Sequence, residues 1–278
     1  MLNVSPSDFV VKSAFAKIMC EPAWKWQKRE KPLQNYDLFY VWSGEGEVVR
    51  NGTPYEVRSG SCFLFRPGDE TTATHNAQKP LVLTYIHFDI RSVPQEVPNP
   101  YRVLPEQDAI EMERLLTRYV RLFLGKAFAA EEEAQLLLKQ LMIHLLRHDR
   151  TASDETGSDG LAQPYRTKRT GEGSVQQKEA IREVANYVQL HAGKPHRLED
   201  LAARANLSPR YFSAKFKELI GESVQDYVIR MRLERAEHLL RYAGMSVSEV
   251  AGVLGYRDVF FFSRQFKQHT GKSPSELR

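Results

Sequence analysis

The side chains best suited to chemistry are few and poorly grouped. His75 and His87 lie apart in the front of the chain, and neither belongs to an His-x-His pair. Two histidines without further ligands make a poor transition-metal site, because zinc takes four nitrogen or sulfur ligands, or three and a water. His144 and His148 stand i, i+4, a spacing that places two ligands on one helix face, but no Glu follows His144 as in a zinc-protease helix. A pair near the end of a helix is the plainer reading. The sequence contains no glycine-rich phosphate loop and no Ser-His-Asp or Cys-His arrangement. Cys62 sits inside the apolar run Ser61-Cys62-Phe63-Leu64-Phe65, which is core material. The expectation is no catalytic residues, no metal and no cofactor.

The informative chemistry lies in a repeat. Phe212-Ser213-Ala214-Lys215-Phe216-Lys217, followed by Gly221 and Ser223, returns as Phe262-Ser263-Arg264-Gln265-Phe266-Lys267, followed by Gly271 and Ser273, at an offset of 50. Upstream, Leu201-Ala202 running to Leu207 corresponds to Val250-Ala251 running to Tyr256, at an offset of 49. The second copy therefore carries one extra residue in its turn. Each copy is a short apolar helix, a turn and a second helix. Ser208-Pro209 opens the second helix of the first copy, since Ser favours the N-cap and Pro the first helical position. In the second copy Ser246 or Ser248 can cap, Gly255 ends the first helix and Arg257-Asp258 leads into the next. This is a helix-turn-helix pattern, whose second helix enters the major groove of DNA. Phe212, Phe216, Phe262 and Phe266, at i, i+4, anchor these helices and leave their opposite faces free. Between the copies, residues 222–244 read as one helix with Val224, Tyr227, Val228, Met231, Leu239 and Leu240 apolar. A continuous helix would hold the two reading heads at a fixed separation on one face of DNA.

The elements that must position these heads are set by composition and pattern. The chain has 278 residues, 42% hydrophobic, 10% aromatic and 27% charged, which excludes disordered, collagenous and disulfide-scaffold classes. No stretch approaches the ~20 apolar residues of a membrane span. The amino terminus lacks a secretory pattern, and two cysteines favour a reducing compartment, so an intracellular protein is expected. The net charge of +4 hides an asymmetry: residues 175–278 carry 17 basic and 12 acidic residues, residues 1–150 carry 19 of each. A basic tail is weak support for an anionic partner. Three units follow: residues 1–150, a polar linker at 151–174 too poor in apolar groups to repay its ordering, and the helical tail at 175–278.

From about Phe9 to Ile90 the chain shows β-branched and aromatic runs cut by turns, including FVVKSAFAKIM, YDLFYVW, GEVVR, PYEV, SCFLF and LVLTYIHF. Asn51-Gly52 between two of them is a strong hairpin signal. Many short strands with such turns predict a sandwich or barrel. From Glu106 the period turns helical. One stripe is Met112, Leu115, Leu116, Tyr119 and Phe123; another is Ala134, Leu137, Leu138, Leu141 and Leu145. These helices either cap the open face of the barrel or pack against a second copy of the chain, and a homodimer is expected.

The tail from about Val175 to Arg278 resembles the DNA-binding domain of the AraC/XylS family of bacterial transcription regulators. GYRDVFFFSRQFKQHTGKSPSELR, residues 255–278, matches that family's signature nearly throughout. It departs at Leu277, where Tyr is usual, and at Phe260, where a polar residue is common, which could change base preference. The front half is similar, less specifically, to the family's cupin-like sensor domain. The matching pieces are Trp42-Ser43-Gly44-Glu45-Gly46, Gly60 to Gly68 and Tyr85-Ile86-His87-Phe88. The resemblance implies an all-β cupin-like barrel with two appended helices, then an all-α domain of two helix-turn-helix units joined by a linker helix. Metal-dependent cupin enzymes are similar to one another in a two-His motif, and Phe39-Tyr40-Val41 occupies the region where it would be expected here.

That resemblance implies a cytoplasmic bacterial regulator of transcription that binds double-stranded DNA, an activator contacting RNA polymerase. Arg210, Ser213, Ala214 and Lys217 form the reading face of the first head, and Phe260, Ser263, Arg264 and Lys267 that of the second. Lys meets phosphate, whereas Arg264 suits a guanine and Phe260 a thymine methyl. Alternatively Arg264 pairs with Asp258 or Glu249. The barrel is expected to take a small polar effector such as a sugar. Candidate contacts are Trp24, Trp26, Tyr40, Trp42, Arg66, His75, Tyr85 and His87, although core is the plainer reading of any one Trp. Two other readings stand beside it: an enzyme whose helical tail docks it, and a barrel that only oligomerises.

Overall fold

Asn51 and Gly52 both have positive φ, 50° and 80°, and join two strands whose ends pair Arg50 with Thr53. That is the backbone a two-residue hairpin turn needs, with Asn tolerating the left-handed region and Gly adopting it freely. It sits in a computed structural model that describes residues 3–28, 32–92, 94–123, 128–154 and 173–277.

The expected strands form as β1 (Phe9–Met19), β2 (Tyr36–Ser43), β3 (Gly46–Arg50), β4 (Thr53–Val57), β5 (Ser61–Phe65) and β7 (Val82–Ile90). Two more appear, β6 (Thr71–His75) and β8 (Tyr101–Val103). Five strands make one antiparallel sheet in the order β1-β7-β2-β5-β8, and three make a second, β4-β3-β6. The two sheets face each other over one core in which Phe39, Val41, Phe63, Phe65 and Leu83 meet Val48, Val57 and Ala73. Trp26 bridges to Ala73 and fills the space between them, 5.7 Å from Phe65 and 5.9 Å from Phe39. Among the described residues no strand ladder joins the sheets, so the cupin-like arrangement is open rather than a closed barrel.

The other face of the larger sheet is covered by α1 (Glu106–Leu122) and α2 (Ala130–Asp154). Met112, Leu115, Leu116 and Tyr119 of α1, and Ala134, Leu137, Leu138, Leu141 and Leu145 of α2, are buried against Leu38, Tyr40, Leu64, Ile86 and Phe88. Both apolar stripes are therefore spent within the chain, as the cap rather than as an interface. α2 continues through Asp154 and α3 begins at Gly173; the rest of the expected linker, residues 155–172, lies outside the described residues.

The tail is α3 (Gly173–Leu190), α4 (Leu198–Arg204), α5 (Pro209–Ile220), α6 (Val224–Tyr242), α7 (Val247–Val253) and α8 (Val259–Thr270). Both turns of the repeat pass through the left-handed region, at Asn206 (φ 54°) and Gly255 (φ 75°). The helices after them start from caps at Ser208 and Asp258, so Arg257 is the inserted residue. Ser246, not Ser248, caps α7, with Glu249 closing a reciprocal capping box. One core holds α3, α4 and α5 with Val224, Tyr227 and Met231 of α6. A second joins Leu233, Ala236, Leu239 and Leu240 of α6 to α7, α8 and the interior of the two sheets.

Candidate functional site

The two second helices of the repeat are alike in burial residue by residue. Along 211–217 and 261–267 the sequence is exposed, buried, intermediate, exposed, intermediate, buried, exposed in both. Phe212, Phe216, Phe262 and Phe266 are fully buried, each pair packing ring to ring at 5.4 and 5.6 Å. The anchors hold the opposite faces outward: Arg210, Ala214 and Lys217 on α5, and Phe260, Arg264 and Lys267 on α8, are exposed. Ser213 and Ser263 are half-buried, and the Ser263 hydroxyl donates to the Val259 carbonyl, leaving it only lone pairs to offer. Phe260 is 72% exposed, a large apolar side chain standing in solvent on a helix that buries the rings of Phe262 and Phe266. The neighbouring Phe261 is 50% exposed, and the sequence pattern gave it no role.

The alternative for Arg264 fails on its partners. Asp258 accepts from the Phe260 N–H at the start of α8. Glu249 accepts from the Ser246 N–H and pairs with Lys25 at 2.9 Å, contacts that hold its carboxyl down at about 2. Among the described residues no carboxylate pairs with Arg264.

The eight effector candidates do not converge. Strand alternation puts Tyr40 and Trp42 on the outer face of the larger sheet, away from the interior. Tyr40 donates to Glu113 of α1 at 2.9 Å, and Trp42 donates from Nε1 to Thr84 Oγ1 at 2.9 Å. Trp24 and His75 meet edge to face at 5.6 Å, and His75 lies 3.4 Å from the Pro22 carbonyl. Trp26 is core. Arg66 donates to the Pro98 carbonyl at 2.9 Å. Only Tyr85 and His87 come together at a place that could report on a ligand, because α6 covers both. His238 stacks on Tyr85 at 3.6 Å and Tyr242 stacks on His87 at 3.7 Å. Beside them Arg235, 2% exposed, donates to both carboxylate oxygens of Glu21 at 3.1 and 2.8 Å. His87 Nδ1 is 3.1 Å from Asn35 Oδ1. Burial pushes the Tyr85 hydroxyl well above its ordinary range. Next to this seam opens a cleft of about 730 Å³ whose polar lining includes Ser13, Gln27, Gln34, Asn35, Arg241 and Tyr242.

His144 and His148 do not form a ligand pair: His144 Nε2 lies 3.0 Å from the Asp108 carbonyl, and no cluster of three metal-ligating side chains occurs among the described residues. No helix of the described residues is long and apolar enough to cross a membrane.

An open double-sheet unit carrying a ligand-sized cleft, followed by two exposed helix-turn-helix heads, is the build of a ligand-responsive DNA-binding regulator. A family model described as an AraC-like ligand binding domain matches residues 21–146, and one described as a helix-turn-helix domain matches residues 201–278. The chain belongs to the AraC family of transcription regulators. It is 22% identical over 254 residues to the Msm operon regulatory protein of Streptococcus mutans, covering 88% of this chain and 84% of that protein. To the transcriptional activator RhaS of Escherichia fergusonii it is 25% identical over 257 residues, covering 87% and 84%. Among solved structures, the DNA-binding domain of AdpA in complex with a target DNA is 33% identical, with a TM-score of 0.34, covering 35% of this chain and 87% of that one. The relatives are transcription regulators rather than enzymes.

Proposed function

We propose that this regulator is a cytoplasmic activator that reads a bipartite operator with α5 and α8, acts as a homodimer, contacts RNA polymerase and answers to a small polar effector such as a sugar. Arg264 takes a guanine bidentately, Phe260 packs on a thymine methyl, and Lys217 and Lys267 meet phosphates. Arg210, Ser213, Ala214 and Ser263 complete the two faces, with Ser263 accepting from a base amino group. The observation that carries this reading is the matched pair of exposed faces, one of them bearing an arginine without a carboxylate partner. Support for activation comes from the similarity to RhaS of Escherichia fergusonii, a transcriptional activator. A sugar fits the amide, hydroxyl and cationic lining of the cleft beside Asn35 and Tyr242 better than the interior, which the rings of Trp26, Phe39, Phe63 and Phe65 fill. For the dimer, Ile110 of α1 and Leu136 and Ile143 of α2 are the apolar groups left exposed, 62%, 53% and 37%.

The test is selection of full-length protein on a random DNA duplex pool at near-physiological salt, with and without a panel of sugars. Two conserved half-sites about one helical turn apart are expected. No enrichment under any condition would overturn the reading.

A further inference from the structure

Directly opposite one another across the larger sheet lie Lys17, Thr84 and Tyr40, all on the outer face that elsewhere packs on α1 and α2. Lys17 is the one charge of these three, and the row continues through Cys62 to Arg102. Its ammonium lies 3.0 Å from the centre of the Trp42 ring, a cation–π contact. No carboxylate among the described residues is within ion-pair reach of it. The nearest negative charge it feels is Glu113, whose carboxylate is already engaged by the Tyr40 hydroxyl. Burial lowers Lys17 to about 8, so holding the charge there costs free energy that Trp42 and Glu113 return only in part.

Around this ammonium is a pocket of about 310 Å³, walled by Trp42 and Thr84 of the sheet, Leu116, Val120 and Arg121 of α1, and Tyr187 with its neighbours on α3. The size is at the lower end for small-molecule sites. Apolar groups make up most of its lining, with polar side chains of all three walls among them, and Arg121 is paired with Glu179 at 3.2 Å. Glu183 of α3 also faces the space. That combination selects a ligand with one anionic group for Lys17 and a flat apolar body for the Leu116, Val120 and Tyr187 walls. We propose that this pocket is a second ligand site, outside the interior of the sheets, for a small aromatic carboxylate.

The position gives the site a consequence. Two walls belong to the ligand-binding domain and the third is α3, whose buried face packs on α5 of the first reading head. The Tyr187 ring also carries the Arg204 guanidinium of α4 at 3.6 Å. A carboxylate bound here ties the first head to the sensor, while the cleft at Asn35 and Tyr242 acts on α6 and the second.

Benzoate, 3-phenylpropanoate and 4-phenylbutanoate, each beside its uncharged primary amide, are titrated calorimetrically into the full-length protein and its Lys17→Met variant. Saturable binding of at least one carboxylate tighter than about 1 mM is expected, with its amide weaker by about tenfold to a hundredfold. Lys17→Met is expected to lose the same factor while unfolding at no lower temperature than the parent, which separates lost recognition from lost folding. Equal binding of acid and amide, full affinity in a folded Lys17→Met, or no saturable binding by any of the three acids would each overturn the site.

Discussion

Replacing Glu21 by Gln tests whether the sensor and the DNA-binding half are one docked body. Glu21 lies just after β1 and Arg235 on α6, 214 residues apart in sequence, and their side chains are 11% and 2% exposed. Arg235 also donates towards His238 Nδ1 at 3.2 Å, and His238 in turn stacks on Tyr85. Gln keeps the shape of Glu and can accept one hydrogen bond, but it leaves a guanidinium buried without a counter-charge. Breaking a buried pair on one side costs about 3–5 kcal/mol, whereas replacing both partners by apolar groups is often neutral. Because the partners sit in different halves, the cost falls on docking before it falls on either fold.

Urea unfolding of the full-length protein reads this directly. Glu21→Gln is expected to lower the midpoint or split one transition into two. In the cycle of Glu21→Leu, Arg235→Met and the double variant, the double is expected to cost less than either single, so the coupling is at least about 3 kcal/mol. A loss below about 1 kcal/mol in Glu21→Gln, or a double variant no better than the sum of the singles, would refute the docking argument.

The remaining expectations concern the reading heads and the buried groups. Arg264→Ala should cost about 1–3 kcal/mol on the selected site and relax preference at one position, whereas Lys217→Ala and Lys267→Ala should weaken all sequences alike and each reduce the salt slope by about 1, as read by fluorescence anisotropy over a salt series. Uniform weakening by Arg264→Ala would make it a phosphate contact. Lys17 holds its proton less tightly in the folded protein than in the unfolded chain, so stability should rise with pH between about 8 and the ordinary lysine range near 10.5, with the full penalty present at pH 7. Lys17→Met should abolish that rise and add about 1–2 kcal/mol at pH 7, after allowance for partial exposure, and a net loss in urea unfolding would count against it. Phe266→Ala should cost about 3–5 kcal/mol by thermal unfolding, since the ring is fully buried between α8 and α7. A change below about 1 kcal/mol would mean that α8 does not depend on that core.

The reading heads were legible because a helix-turn-helix is locally encoded. Phe at i, i+4, a Ser or Asp cap and one left-handed turn residue specify each head within about twenty residues, and duplication doubles the signal. The Asn51-Gly52 hairpin was legible for the same reason. β6 was hidden because Thr71–His75 has little apolar alternation, and β8 because three residues carry no period. The effector candidates do not converge on one place for a different reason. Residue type names an aromatic or a polar tip, but register decides its face, and a shift of one sends Tyr40 outward while Phe39 faces in. α6 was legible as a helix, but its second function was not. Arg235, His238 and Tyr242 are polar or aromatic residues outside the apolar stripe, and they are covered only because the sensor docks there. The spacing i, i+3, i+7 was the available signal: three such side chains on one line of a helix mark a face that expects a partner.

α6 belongs to both cores of the DNA-binding half, and this makes the two heads unequal. Its first half closes the core of α3, α4 and α5; its second half shares one core with α7, α8 and the interior of the sheets. A displacement at Tyr85 or His87 therefore acts on the second head through direct packing, and on the first only through the stiffness of α6 and through α3. An effector that binds equally well whether or not α6 is docked changes nothing, however tightly it binds. Asn35 lies on the sensor, beneath the cleft, and Tyr242 on the helix above it, so a ligand held by both must lose contacts when they separate. A ligand bound there would favour the docked arrangement and hold the second head, and the first with it at the separation that the unbroken α6 sets.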